Sequence, residues 1–403
     1  MSDYDLIVRS RLPDGSPIVL GIADGCFQAA GPDLSDSAKE EVDHTHGFII
    51  PGWLDAHVHF NEPGRSDWEG LATGSRALSA GGGTVFFDMP LNSSPPVLTA
   101  AALEEKRALA EQKACTDFAL WGGLTPDSLD HIDAITAAGA IGFKAFMCPS
   151  GLDEFRHADS ATLKAGMTRA AALKLPVAVH AERDPTSRPA ACDMAAWLAS
   201  RPIQLELDAI QLALDLAGET GCALHIVHVS CAEGIDLVST AKARGVNVTV
   251  ETCPHYLLLS DADAIRIGAF AKCAPPLRSP AIISGLRERL LSGAIDTLGS
   301  DHSPSSPDLK AGSDFFAIWG GIAGIQHALP LLLDAALAPL AAISDHVAQR
   351  FRLRGKGGFH IGHEADFALL SLSPRIILPD ESLTRHPISP YFHHAIRHRV
   401  DAT

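Results

Sequence analysis

The 403-residue chain has no apolar run of the ~18 residues needed to cross a bilayer. It has no CxxC pair either: its eight cysteines are scattered, which suits free thiols in a reducing compartment better than a disulfide scaffold. The opening MSDYDLIVRSRLPDG carries acidic residues where an export signal needs a basic stretch followed by an apolar one. A cytoplasmic protein is therefore expected. Positive charge is scarce, with 32 Lys+Arg against 48 Asp+Glu and a net charge of −16. An excess of that sign argues against nucleic acid or an anionic membrane as partner. Low-complexity segments and internal repeats are also missing. What is present is apolar: 46% hydrophobic residues, enough for a large core, with charged residues at 20%, too few for a disordered chain.

From residue 48 to about 320 a short apolar run ends in a polar or glycine-rich turn and a longer helical pattern follows. The strand candidates are 48–57, 84–88, 117–121, 141–146, 177–180, 223–229, 246–251 and 295–300. The helix candidates are 68–80, 101–113, 128–138, 161–173, 204–218, 232–244 and 280–291, with a last one over 322–336. Eight alternations predict an α/β fold, a (β/α)8 TIM-like barrel with a parallel core. An open doubly wound sheet is the alternative; it is disfavoured because no GxGxxG turn follows the first strand. Residues 3–47 and 355–378 read instead as short strands with turns. Together they predict a small β-sandwich domain built from both ends, 1–47 and 351–403, around a barrel over 48–350.

In such a barrel the side chains at the C-terminal strand ends face the active site. The first strand ends in Asp55-Ala56-His57-Val58-His59. Alternate residues share a face, so His57 and His59 point together and make half of a zinc-type site, or else a buried structural pair. The fourth ends around Lys144, among apolar neighbours where a charged lysine is costly. Either that side chain snorkels to solvent, or it is neutral there and reacts with carbon dioxide, giving an anionic carbamate that bridges two metals. The fifth strand ends at His180. The sixth carries His225 and His228, which, three apart, face opposite ways. His228, at the strand end, is assigned the interior place and His225 a packing or supporting one. The eighth ends at Asp301, which suits a helix N-cap or a metal-binding carboxylate that also moves a proton. Six donors at the ends of strands one, four, five, six and eight are a conjunction that independent chance placements rarely produce.

The run PGWLDAHVHF (51–60) resembles the opening motif of the cyclic amidohydrolases, and ETCPHYL (251–257) is a second motif they share. Within that family, HFNEPGRSDWEG (59–70), DMPLNSSPPV (88–97), GFKAFMCPSGLDEF (142–155), KCAPPLR (272–278) and SDHSPSSPDLK (300–310) are similar to the allantoinases. FFAIWGGIAGIQ (315–326) and HPISPY (386–391) extend the likeness over nearly the whole chain. The resemblance implies the barrel with a small β domain from both termini. It also implies two divalent metal ions, usually Zn2+, held by His57, His59, N6-carboxylated Lys144, His180, His228 and Asp301. A homo-oligomer, commonly a tetramer, is implied as well. Two departures bear on stability and assembly rather than on the metal site. The stretch from Asp334 to Phe351 looks shortened, with Ser344-Asp345-His346-Val347 where the family often has an Asn-Pro-Ala-like turn. The sequence also stops soon after Val400, where relatives tend to continue as a strand.

The resemblance further implies hydrolysis of a small cyclic amide, with Asp301 and Lys144 catalytic. Dihydroorotases typically place an arginine where this sequence has Asn61. That arginine pairs with a substrate carboxylate, whereas an asparagine offers neutral donors and an acceptor. Asn61 thus favours a neutral, amide-rich ring such as allantoin, opened to allantoate, with nearby Arg65 blurring the argument. Hydantoinase-like members commonly lack the EPGR stretch and place a tyrosine after the bridging-lysine motif. Asn61, Asn92 and Ser303 are the expected substrate contacts; surface or turn-capping roles suit each equally. A dihydroorotase- or hydantoinase-like enzyme acting on another ring is the alternative. A non-enzymatic barrel is a third reading, weakened because all six ligands are kept.

Overall fold

The computed structural model describes residues 4–403. Four strands, β1 (Tyr4–Arg11), β2 (Pro17–Ala23), β3 (Cys26–Gly31) and β4 (Ala38–Asp43), form one sheet in the order β3-β2-β1-β4. β1 runs antiparallel to β2 and parallel to β4. Its alternation sends Leu6 and Val8 to one face, opposite Ile22 and Leu20 of β2, and these pack with Phe27, Ile49 and Leu369. The charged run Ala38–Asp43 was not expected to be a strand; it pairs on one side only, at the sheet edge.

The stretch read as one first strand, 48–57, is two: β5 (Phe48–Pro51) and β6 (Trp53–Val58). The break falls at Gly52, where a Cβ would lie 2.3 Å from the Thr84 side chain. Only a bare backbone passes there, and at that point the chain leaves the terminal sheets for the barrel. The barrel strands are β6, β7 (Gly83–Asp88), β8 (Asp117–Leu120), β9 (Gly122–Gly123), β10 (Phe143–Phe146), β11 (Val177–His180), β12 (Leu224–Ile226), β13 (Val248–Thr252) and β14 (Thr297–Leu298). β8 and β9 are halves of one strand interrupted at Trp121, whose N–H donates to Asp88 O at 3.1 Å. All pairings are parallel, and the ring closes where His59 N donates to His302 O at 2.8 Å and the Trp53 indole donates to Leu298 O at 3.0 Å. The expected eight-stranded (β/α)8 barrel is therefore what forms. Its sixth and eighth strands are shorter than read, because the backbone leaves strand geometry before His228 and Asp301.

Helices follow the strands much as the apolar spacing predicts. Ile203–Thr220 buries Ala209, Ile210, Ala213, Leu214 and Ala217 along one face and ends at Gly221 in a left-handed turn. The helix read from residue 68 begins only at Leu71, whose N–H is held by Glu62 at 3.0 Å. Trp68 instead meets Trp319 edge-on at 5.1 Å. Short helices at Met194–Ser200, Pro254–Leu258 and Asp261–Ile267 were not anticipated; at two turns or fewer they carry no legible period.

Asp345–Phe351, in the region read as shortened, is a helix that plugs the barrel base. Its Val347, Ala348 and Phe351 pack on Leu54, Ala56, Val85, Phe87, Trp121 and Ala178. Beyond it, β15 (Phe367–Ile376) is a single strand with an irregularity between Leu372 and Arg375, where two short strands were read. It pairs antiparallel with β5 on one side and with β16 (Ala395–Ala402) on the other, completing the second sheet of the β-sandwich. Among the described residues no helix is long and apolar enough to cross a membrane, and the eight cysteines are free.

Phe351→Ala would empty the space between Phe87 and Trp121, whose rings lie 5.1 and 5.4 Å from it. A loss of about 3–5 kcal/mol is expected in denaturant unfolding. A loss below about 0.5 kcal/mol, the size of an ordinary surface change, would show that the helix does not plug the base.

Candidate metal centre and active site

The C-terminal strand ends bring the six sequence-assigned donors onto one buried wall. Asp301 Oδ1 lies 3.2 Å from His57 Nε2 and 3.3 Å from His59 Nε2. These three groups place their ligand atoms within 4.8 Å of one another. His180 Nδ1 faces His228 Nε2 at 2.9 Å. Lys144 Nζ is 3.5 Å from His57 Nε2, and its ammonium lies 5.2 Å from the centre of the Phe146 ring.

Two backbone details produce this convergence. His228 and Asp301 both sit in the left-handed region, with φ of 43° and 45°. A non-glycine residue held there costs about 1–3 kcal/mol, and such strain concentrates at functional sites. The turn after β12 also overrides the parity argument for the sixth strand. His225 and His228 do not point apart; both serve the centre, at different depths. His225 lies beneath it, with Nδ1 2.8 Å from Thr249 Oγ1 and Nε2 3.5 Å from Glu251 Oε2. The alternation rule stops where β12 stops, at Ile226.

The electrostatics suit metal ligation. Burial lowers the pKa values of His59, His180 and His228, keeping their lone pairs free. Burial pushes the Asp301 carboxyl up, but the surrounding imidazoles, His57 first, outweigh it and hold the group well below the usual carboxylate range. Lys144 is drawn down to about 8 by burial, against the pull of Asp301 and Glu251. A neutral fraction of roughly a tenth is then present at pH 7, far more than an ordinary lysine offers, and attack on carbon dioxide requires that form. The buried Nδ1 atoms of His59 and His228 have no hydrogen-bond partner. A carboxylate shared between two imidazoles, beside two imidazole nitrogens aimed at each other, is a donor set that fits divalent metal ions.

Glu251 supports this set and was not singled out in the sequence. It is fully buried; its Oε1 accepts from His57 Nδ1 at 2.7 Å and from the His228 backbone N–H at 3.3 Å. The first bond leaves the His57 Nε2 lone pair pointing into the centre. Burial would raise the Glu251 pKa, but His57 and His225 bring it to about 2. Its only sequence signal is its place at the head of ETCPHYL.

A cavity of about 370 Å³ opens over the centre. Asn92 and Ser303 line it, as expected of substrate contacts. Asn61 does not: it is fully buried with φ of 64°, and its amide donates to Pro304 O at 3.0 Å. The left-handed turn aims that side chain at the loop after Asp301 rather than at the cavity. Arg65 is likewise committed, to Asn92 O and Ser93 O at 3.2 Å each and to Glu154 at 2.6 Å. Glu182, Trp197, Arg201, Lys272 and Phe316 complete the lining and were not anticipated, because they stand in irregular segments or, for Trp197, on a helix too short to carry a legible period.

The model of the amidohydrolase family matches residues 48–392. The chain belongs to the amidohydrolase family. Over its full length it is 48% identical to an allantoinase of Rubrobacter xylanophilus, covering 93% of that protein. An allantoinase of Deinococcus radiodurans is 46% identical over 99% of the chain and 93% of its own length. Among solved structures, the L-hydantoinase (dihydropyrimidinase) of Arthrobacter aurescens superposes with a TM-score of 0.94 at 31% identity, covering 98% of this chain and 94% of that one. These likenesses agree with an amidohydrolase barrel and β-sandwich and with hydrolysis of cyclic amides.

Glu251→Gln removes the charge that orients His57. Metal affinity, measured by chelator competition, is expected to fall by about 10- to 100-fold. An unchanged affinity would mean that Glu251 only packs.

Proposed function

We propose that this chain is an allantoinase, hydrolysing a ring C–N bond of allantoin to give allantoate. The observation that carries the reading is the convergence of His57, His59, Lys144, His180, His228 and Asp301 on one cavity wall in a chain that aligns end to end with allantoinases. The ions are read as two Zn2+, which would be held by His57, His59, His180, His228, Asp301 and N6-carboxylated Lys144. When bound, they supply Lewis acidity and a water activated at neutral pH.

The residues do the rest. His57, His59, His180 and His228 would give lone pairs, and Glu251 keeps His57 turned inward. Asp301, held ionised, accepts the proton of the attacking water and returns it to the ring nitrogen that leaves. Asn92 and Ser303 are read as ring contacts; Asn61 is read as a positioning residue for the loop of Ser303 and Pro304. With Arg65 committed elsewhere, no arginine near the first strand is free for a substrate carboxylate, which supports a neutral ring over dihydroorotate. A hydantoinase is the second reading, favoured by the likeness to the Arthrobacter enzyme. A cytoplasmic homo-oligomer, a tetramer by resemblance, is part of the proposal; exposed Leu372 and Ile376 on the terminal sheet support association.

Purified protein loaded with Zn2+ and supplied with bicarbonate is expected to open allantoin and to leave dihydroorotate and hydantoin intact. Turnover of another ring alone would overturn the substrate. Asp301→Asn and Lys144→Ala are each expected to lower kcat by at least about 10²–10⁴-fold. Full activity in either, at unchanged metal content, would overturn the assignment of that residue.

A further inference from the structure

Part of the cavity wall carries a charge that the ring-opening chemistry does not use. Two cations lie there, Arg201 and Lys272. Arg201 is paired with the buried carboxylate of Glu182. Among the described residues, no ion pair involves Lys272. It is 4% exposed; its ammonium donates to the Ile318 carbonyl and lies 4.1 Å from the centre of the Trp197 ring. An ammonium has three donors. One is taken by that carbonyl, the Trp197 face attracts the charge, and donor capacity is left over. Burial draws the group down to about 8, as befits a buried cation without a counter-charge.

A purely structural task for this side chain is already served by other groups. Lys310 Nζ holds the same segment through Trp319 O at 3.1 Å and Gly321 O at 2.7 Å. The two segments are also joined through the backbone, where Gly321 N donates to Lys272 O at 2.8 Å. A buried, underused donor on a cavity wall, with Arg201 and Arg188 already over the Trp197 and Phe316 rings, suits a group that brings an acceptor oxygen. Allantoin differs from bare hydantoin by such a group: a ureido arm, planar and ending in a neutral carbonyl.

We propose that Lys272 is a specificity-determining residue that donates to the ureido carbonyl of the substrate and so separates an arm-bearing hydantoin from a bare ring. The inference rests on the allantoinase reading for its substrate, and it is tested by binding, so that the two are judged apart. The measurement is calorimetric titration of the Zn2+-loaded Asp301→Asn protein with allantoin and with hydantoin, with and without Lys272→Met. Loss of a hydrogen bond to a charged donor is expected to weaken allantoin on the order of tenfold or more, with hydantoin changed less than twofold. Lys310→Met serves as the structural control and is expected to weaken both ligands alike, if at all. Equal weakening of both ligands by Lys272→Met, or no weakening of allantoin, would overturn the inference, as would a protein with Lys272 intact that binds the two ligands equally. Turnover of allantoin by the unmutated enzyme judges the allantoinase reading separately, since selective loss of allantoin binding in Lys272→Met stands whichever ring is opened.

Discussion

A single buried carboxylate sets the geometry of the centre. Glu251 binds the ring of His57, the backbone of His228 and, more loosely, the ring of His225. It thereby ties the HxH motif of the first barrel strand to the sixth strand. A charge so deep is tolerable only because its partners are there, and those partners are correctly aimed only because the charge is. The approach is close enough that position 299 must be glycine-like, since a Cβ there would lie 2.5 Å from Glu251 Oε2. The neighbouring strand end is shaped around this residue, as is the metal site above it.

Chemistry and selectivity rest on different kinds of support. The candidate metal donors stand on strand ends of a parallel barrel whose base is plugged by Val347 and Phe351, so their positions are set by dense packing. The far wall is loop: Ile318, Trp319 and Gly321 are held by lysine-to-carbonyl bonds rather than by a ladder. Loops on a rigid scaffold are where binding preferences vary without disturbing the scaffold. A barrel shared with hydantoinases alongside a sequence closer to allantoinases is consistent with that division.

Much of this was legible in the sequence, and the misses have physical causes. The barrel showed itself because strand and helix repeat with different periods, and the candidate ligands because HxH, a strand-end lysine and a strand-end aspartate fall in step with it. Glu251 was not singled out because its partner His57 is remote in the chain and no spacing links them. Parity misread how His225 and His228 stand to each other, since it holds only while a strand continues and β12 ends two residues before His228, while the supporting place given to His225 agrees with its contact to Glu251. Asn61 was misread because a left-handed backbone, which no composition reveals, sends its amide to Pro304. The split of the first strand at Gly52 turned on a contact with Thr84 that exists only after folding.

The pairing of β5 with β15 joins segments separated by roughly three hundred residues, a contact of very long sequence range. On a ribosome, the segment that precedes the barrel therefore emerges with one sheet edge unmatched and must wait for nearly all of the rest. The exposed edge is short, four residues, and is followed at once by the barrel's own first strand. Synthesis thus runs from an open ribbon to a clasp: the last strands to be made close over β5, and the C-terminal segment finishes in one sheet with the strand that leads into the barrel.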